Sequence, residues 1–384
     1  MHDAGRASAC VLLASAGDLV EGVSEDVGET VLPALAEDSG TRITYAGTEP
    51  LGVQVPEIAS WLRDYTDPVN SALDELNPPG GKTSLEMAVR DALSVGGKRV
   101  RATLALLWCE VYSGDHMLAV PLAVAYELAH AGALVQDDII DRSEMRRGTK
   151  SIEAKYGLTT AILASDLLLF NVPKMVAKYE GLESKRLARI LDLLGEACRA
   201  TTWGEFIDME MARVGGESEN GYEEMIKLKT SSLLSAPCAS GALVGGASEA
   251  DAGTASRFGE EVGMAYQIQD DALDLVGNES ELGKPVLTDL RGGKKSFVLM
   301  HCLARCSAAD SDFVKGLMNR SGPYAQEEAS RLRRLIEEKG SLEYARGKIA
   351  EHTANARDVL STVPRGRAAE RLEELTEYLA VRYY

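Results

Sequence analysis

Cysteine is scarce and unpatterned in this 384-residue chain: six residues, at 10, 109, 198, 238, 302 and 306, with no CxxC pair and no histidine at zinc spacing. That excludes a structural zinc module or a disulfide scaffold and points to a reducing cytoplasm. Cys302 and Cys306, four apart, read as small core residues on one helix face. Positive charge is in deficit, 41 Lys and Arg against 59 Asp and Glu, net −18. A nucleic-acid backbone needs a basic footprint, so no nucleic-acid partner is expected. Aromatics are only 5% while hydrophobic residues reach 45%, which with abundant Ala, Leu, Glu and Arg favours a globular, mostly helical chain. No run of about 18 strongly apolar residues reads as a stable membrane insertion. Residues 230 to 248 carry no charge, but Ser, Gly and Ala dominate them, which suits close helix packing. The apolar run from Cys10 to Ala14 is too short and too soon acidic for an export signal.

What the chain does have is concentrated in residues 127 to 148, ELAHAGALVQDDIIDRSEMRRG. Residues four apart share a helix face, so Asp137 and Asp141 project together from the end of an apolar helix, with Asp138 beside them. Paired carboxylates repel unless a cation lies between them, and a hard divalent ion such as Mg²⁺ accepts carboxylates and completes its shell with water and substrate phosphates. Arg146 and Arg147 follow, and guanidinium forks match phosphate oxygens. Alone, such a motif reads as a solvated helix end. A second copy, YQIQDDALDL at 266 to 275, repeats the spacing with Asp270, Asp271 and Asp274. Lys229 and Thr230 fall between the copies; Gly283, Lys284, Asp289, Lys294 and Lys295 follow the second. Two acid clusters facing each other with interleaved cations read as a site for a metal-bound diphosphate.

These motifs in this order, GGKRVR at 96 to 101, HAGALVQDDIID at 130 to 141, RRG at 146 to 148, KT at 229 and 230, QIQDDALD at 267 to 274 and GKPVLTDLRGGKK at 283 to 295, resemble those of the trans-type isoprenyl diphosphate synthases, the polyprenyl synthase family. The resemblance spans roughly residues 57 to 384. It implies an all-α, single-domain helical bundle around a central active-site cavity, here residues 56 to 384, with residues 1 to 55 as an extension given no function. It implies a homodimeric prenyltransferase that joins isopentenyl diphosphate to dimethylallyl, geranyl or farnesyl diphosphate using several Mg²⁺ ions. It assigns the metal to Asp137, Asp141 and Asp270, with Asp138, Asp271 and Asp274 in support. Isopentenyl diphosphate falls to Lys98, Arg101, His130 and Arg147. Leaving-group and cation stabilisation fall to Arg146, Lys229, Thr230, Gln267, Lys284 and Lys294. Product length falls to the residues below the first motif. Gly132, Ala133 and Ala129 are small there, with Tyr126 as a deeper floor, so geranylgeranyl diphosphate or a somewhat longer product is expected.

Two departures stand out. Ser165 replaces the glycine of the family's AGD pattern before Asp166, and Glu205 stands where a glutamine is usual, its role open. A terpene cyclase or a catalytically silent subunit are the rival readings. The first usually lacks GGKRxR and a second DDxxD, and the second characteristically loses acid motifs; both motifs are intact here.

Along the chain, apolar spacing predicts a helix from Pro56 to Leu76, a second from a capping box at Thr83–Glu86 to Leu93 as its antiparallel partner, a central helix from Leu118 to Asp141, another over 158 to 180 kinked at Pro173, and an amphipathic helix over 222 to 234. The glycine-rich, basic stretch 277 to 295 reads as a lid. Amphipathic helices rich in Arg and Glu fill 296 to 384, and Tyr383 and Tyr384 carry no readable signal.

Overall fold

A computed structural model describes residues 55–76, 82–94, 97–214, 219–276, 290, 293–318, 320 and 324–381. The expectations for residues 1 to 55, for Lys284 and the lid, and for the last two tyrosines lie outside the described residues, apart from Val55 and the end of the lid.

The described residues are all-α apart from one short hairpin. In order they form α1 (Val55–Leu76), α2 (Ser84–Ser94), α3 (Val100–Ser113), a 3₁₀ turn (His116–Ala119), α4 (Val120–Ile140), β1 (Met145–Arg146), β2 (Thr149–Lys150), α5 (Ile152–Tyr156), α6 (Leu158–Val176), α7 (Ser184–Val214), α8 (Glu219–Ile226), a π-helical turn (Lys227–Ser231), α9 (Ser232–Val244) and α10 (Glu249–Val276). The C-terminal part adds α11 (Phe297–Arg305), α12 (Ala308–Met318), α13 (Gln326–Glu338), α14 (Ser341–Leu360) and α15 (Arg367–Val381).

Helix α4 is the axis. It is buried on nearly every side, as an all-round apolar pattern demands, and it packs on α6 and α3. Asp115 caps the 3₁₀ turn that leads into it, its carboxylate accepting the Met117 N–H at 2.9 Å, and Pro121 stands in the first turn of α4 itself. Helix α9 is held by small residues on both flanks. A Cβ on Gly241 or Gly245 would lie 2.2 and 2.4 Å from the carbonyl oxygens of Ala105 and Cys109 in α3. One on Gly259 or Gly263 of α10 would meet the α9 side at 2.5 and 2.6 Å. Backbones therefore touch, and the uncharged Ser, Gly and Ala stretch does the helix packing expected of it. First and last helices are tied by polar contacts: Arg371 donates to the Tyr65 hydroxyl at 2.5 Å, Tyr65 to Glu110 at 2.7 Å, and the Trp61 indole to Glu374 at 2.8 Å.

Some expectations need correction. The capping box forms, Glu86 accepting from the Thr83 N–H at 3.0 Å, but α2 is not the partner of α1. Helix α1 packs on α3, α4 and α15, whereas α2 packs on α4, α5 and α6, because the small Ala88 and Ala92 match the Ala161–Ala164 face. The helix over 222 to 234 is three segments, with a π turn at the KT pair. Two helical stretches, His116–Ile140 and Leu158–Val176, do have the length and hydropathy of membrane spans. The first is 67% buried inside the bundle, but the second is only 39% buried and leaves an apolar face uncovered.

Candidate active site

Two clusters of charged side chains, each beside a cavity, meet at the end of α4. In the first, the cavity measures about 380 Å³ and is lined by Lys98, Arg101, His130, Arg146, Arg147 and Tyr266, among others. Residues 97 to 101 of the GGKRVR motif build one wall. Arg99 takes a left-handed conformation (φ 48°) and spends its guanidinium on the structure, donating to Asn70 Oδ1 at 3.0 Å, the Leu93 carbonyl at 3.1 Å and buried Glu127 at 3.1 Å. With the middle residue locked, its neighbours Lys98 and Arg101 line the cavity; the Lys98 ammonium stands 5.2 Å above the Tyr378 ring of α15. The RRG motif builds the facing wall as the tip of the β1–β2 hairpin. Arg147 (φ 50°) and Gly148 (φ 79°) are its two turn residues, the two positive φ values of a type I′ turn. Gly97 makes room for this tip, since a Cβ there would fall 2.6 Å from Arg147 Nη1. Burial, then the charges of Arg101, Arg147, Arg146 and Arg99, hold His130 well below its usual range. A neutral imidazole there adds no further positive charge among the arginines and keeps one N–H to donate.

The second region lies between the acid motifs. Asp138 is buried and accepts from Arg146 Nε at 2.9 Å and Nη2 at 2.5 Å; the same Nη2 donates to Asp137 at 2.8 Å. Arg146, expected to face substrate, is thus also tied to the first motif while it lines the cavity. Burial alone would raise Asp137, but Lys294, Lys229 and Arg146 outweigh it and hold the carboxyl below its usual range. Asp141, at the helix end, pairs with Lys294 at 2.5 Å.

On the other side, Asp271 is buried and accepts from the Tyr222 hydroxyl at 2.7 Å, the Phe297 N–H at 2.8 Å and Gln267 Nε2 at 2.9 Å. Such a saturated carboxylate anchors the motif; Asp270 beside it is half-buried. Gln267 Oε1 accepts from Thr230 at 2.9 Å. Lys229 lies 2.7 Å from both Glu205 and Asp208 and 3.8 Å from Asp137. Burial opposes its charge, yet Asp208, Glu205 and Asp137 raise its pKa well above the usual lysine range. The Glu205 question therefore has an answer: it is a second carboxylate on Lys229. Gly204 explains the approach, since a Cβ there would meet the Lys229 backbone nitrogen at 2.3 Å, so α7 rests directly on the π turn. A cavity of about 70 Å³ lies here, bounded by Asp208, Lys229, Thr230, Gln267, Asp271 and Lys294. Asp208, Tyr222 and Tyr266 went unassigned in the sequence.

Among the described residues no three His, Cys, Asp or Glu side chains gather into a ready-made metal cage. Ammonium groups stand among the carboxylates instead, Lys294 on Asp141 and Lys229 near Asp137. This donor set is all oxygen and already holds cations. It fits Mg²⁺, which binds through one or two carboxylates and takes the rest of its shell from water and substrate.

Below the first motif, Ala129 and Tyr126 are buried, and the Tyr126 hydroxyl lies 2.9 Å from Ser240 Oγ on α9. Ala133 is half-buried. Gly132 is turned to α6, where Ser165 Oγ donates to its carbonyl at 3.0 Å.

Residues 82–336 match the polyprenyl synthetase family. The chain belongs to that family. It is 31% identical to the geranylgeranyl diphosphate synthase of Methanosarcina mazei over 84% of this chain and 97% of the relative. It is 32% identical to a geranylfarnesyl diphosphate synthase from Aeropyrum pernix, over 76% and 92% respectively. The geranylgeranyl pyrophosphate synthetase structure from Pyrococcus horikoshii superposes with a TM-score of 0.80 at 31% identity, covering 85% of this chain and 99% of that one. This polyprenyl synthetase thus runs nearly the full length of its relatives.

Proposed function

We propose that the chain is a Mg²⁺-dependent trans-prenyltransferase that condenses isopentenyl diphosphate with an allylic diphosphate and releases an all-trans product of geranylgeranyl length or somewhat longer. One observation carries this reading: two anion sites of opposite character share the end of α4. One is built from Lys98, Arg101, Arg147 and neutral His130 and needs no metal. In the other, carboxylates and lysines alternate. Two diphosphates of different fate need two such sites.

Asp137, Asp141 and Asp270 would hold Mg²⁺, which when bound neutralises the charge that develops on a departing diphosphate. Lys229 and Lys294 remain charged, since neighbouring carboxylates hold both above the usual lysine range against burial, and they stabilise the same leaving group. The Thr230 and Gln267 oxygens and the π-turn carbonyls give the allylic cation negative dipoles without a nucleophile to trap it. Lys98, Arg101, His130 and Arg147 hold isopentenyl diphosphate with its alkene towards that centre, and the apolar path below Asp137 keeps water from quenching it. The five described free cysteines accord with a reducing cytoplasm.

The test is product analysis with labelled isopentenyl diphosphate, Mg²⁺ and dimethylallyl, geranyl or farnesyl diphosphate. A linear prenol series ending at geranylgeraniol or beyond, abolished by EDTA, is expected. A stop at farnesol would overturn the length assignment; cyclic hydrocarbon or no turnover would overturn the synthase itself.

The uncovered apolar face supports a homodimer. Leu163, Leu167 and Phe170 of α6 and Trp203, Phe206 and Met209 of α7 are exposed, Phe170 to 69%, a concentration that marks an interaction surface. Light scattering after chromatography is expected to give a dimer that Phe170→Glu converts to monomer. A monomeric parent protein would remove the reading.

A further inference from the structure

Smallness at Gly132 was expected to leave the elongation path open, yet the space is taken. A Cβ built on Gly132 would lie 3.0 Å from Leu169 Cγ and 3.1 Å from Leu169 Cδ2, with the Ser165 carbonyl at 3.4 Å. Leu169 of α6 therefore fills the place where a side chain on α4 at residue 132 would begin. One turn before it, Ser165 Oγ donates to the Gly132 carbonyl at 3.0 Å and ties α6 to α4 at this level. Leu169 follows Ser165 by four residues and so lies one turn along the same side of α6.

We propose that Leu169 is a specificity-determining residue that sets product length from α6, an assignment that rests on the synthase reading above. On α4, Tyr126, Ala133 and Asp137 recur at spacings of seven and four and so lie along one side, which Tyr126 joins to α9 through Ser240. Gly132 flanks that side towards α6. It lies five residues before Asp137, about 7.5 Å along the helix, the depth a growing chain passes early in elongation. Leu169 is half-buried and belongs to none of the hydrophobic clusters that form the core, so its side chain is free to be resized without emptying the interior. With Ala129 and Ala133 small, Leu169 is the bulky side chain that meets Gly132, and Tyr126, eleven residues and about 16 Å from Asp137, is the floor beyond it.

The experiment compares unsubstituted protein with Leu169→Ala and Leu169→Phe, given dimethylallyl diphosphate and excess isopentenyl diphosphate, by chromatography of the prenols at equal conversion. Leu169→Ala is expected to lengthen the main product by at least one isoprene unit and Leu169→Phe to shorten it by one, while the first condensation stays within about threefold in all three. A merely structural residue would lower activity or melting temperature in both variants without moving product length. Active, folded variants that both give the parental product overturn the proposal and leave the synthase intact. A parent protein that makes no prenyl diphosphate overturns the synthase reading and this one with it.

Discussion

Asp137→Ala is expected to lower kcat/KM for condensation by about 10³-fold, some 4 kcal/mol of transition-state stabilisation, while the protein stays folded. The two halves of that expectation have separate grounds. Arg146 keeps Asp138 at 2.5 Å, and Lys229 keeps Glu205 and Asp208 at 2.7 Å, so truncating Asp137 leaves neither cation without a partner. For a partly exposed pair the loss is about 1 kcal/mol or less. The leaving diphosphate has no such reserve. Asp138 and Asp271 are committed to Arg146 and to Tyr222, Phe297 and Gln267, and neither can turn to replace the lost oxygen. Initial rates over a Mg²⁺ series, beside circular dichroism and thermal melting, make the measurement. A folded variant that retains more than about a tenth of the activity would remove Asp137 from the metal site.

The same contacts define what the sequence could reveal. The 3.6-residue period placed Asp137 and Asp141 on one end of a buried helix, and a Gly, Ala and Ser composition announced the close packing of α9. Those are local properties. It could not reveal that Arg99, alongside Lys98 and Arg101 at the cavity, also braces the fold, because all three cations look alike until Glu127 and Asn70 arrive from elsewhere. Nor could it reveal that Arg146, which lines the cavity, also bonds Asp138, because that bond depends on the hairpin folding back. The π turn at Lys229 has the composition of an ordinary helix, and what accompanies it is external: Gly204 of α7 against its backbone, and Gly263 of α10 against Ser231. Glu205 was visible as a departure, but its meaning needed Lys229 at 2.7 Å. At Gly132 the sequence reported a small residue where the space belongs to a leucine 37 positions later.

Gly241→Ala is expected to destabilise the fold by about 3 kcal/mol, a large effect for a single methyl group. In an exposed helix this change stabilises by up to about 1 kcal/mol, so the sign itself is informative. The new Cβ would lie 2.2 Å from the Ala105 oxygen and 2.9 Å from the Ala105 carbonyl carbon and Cα. All three are backbone atoms, which cannot rotate away as the tip of a leucine can. Gly245 and Cys109, each four residues further along, repeat the contact at 2.4 Å, so relief by tilting one helix is blocked a turn away and α3 must separate from α9. Gly347→Ala is the internal comparison: it is exposed within α14, with nothing within 4 Å of its Cβ, and is expected to raise stability by about 0.5–1 kcal/mol. Denaturant titration resolves both better than heat, because 3 kcal/mol in a folded unit of this size shifts the melting temperature by only about 4 °C. Separation of these helices also reaches the chemistry. Helix α3 begins at the GGKRVR turn with Arg101 in its first turn, and α9 continues the π turn that carries Lys229 and Thr230. Moving them apart pulls Arg101 away from Lys229 and Thr230, so activity should fall even at temperatures where Gly241→Ala remains folded. Equal stability in the Gly241→Ala and Gly347→Ala proteins would mean that α3 and α9 do not touch through their backbones.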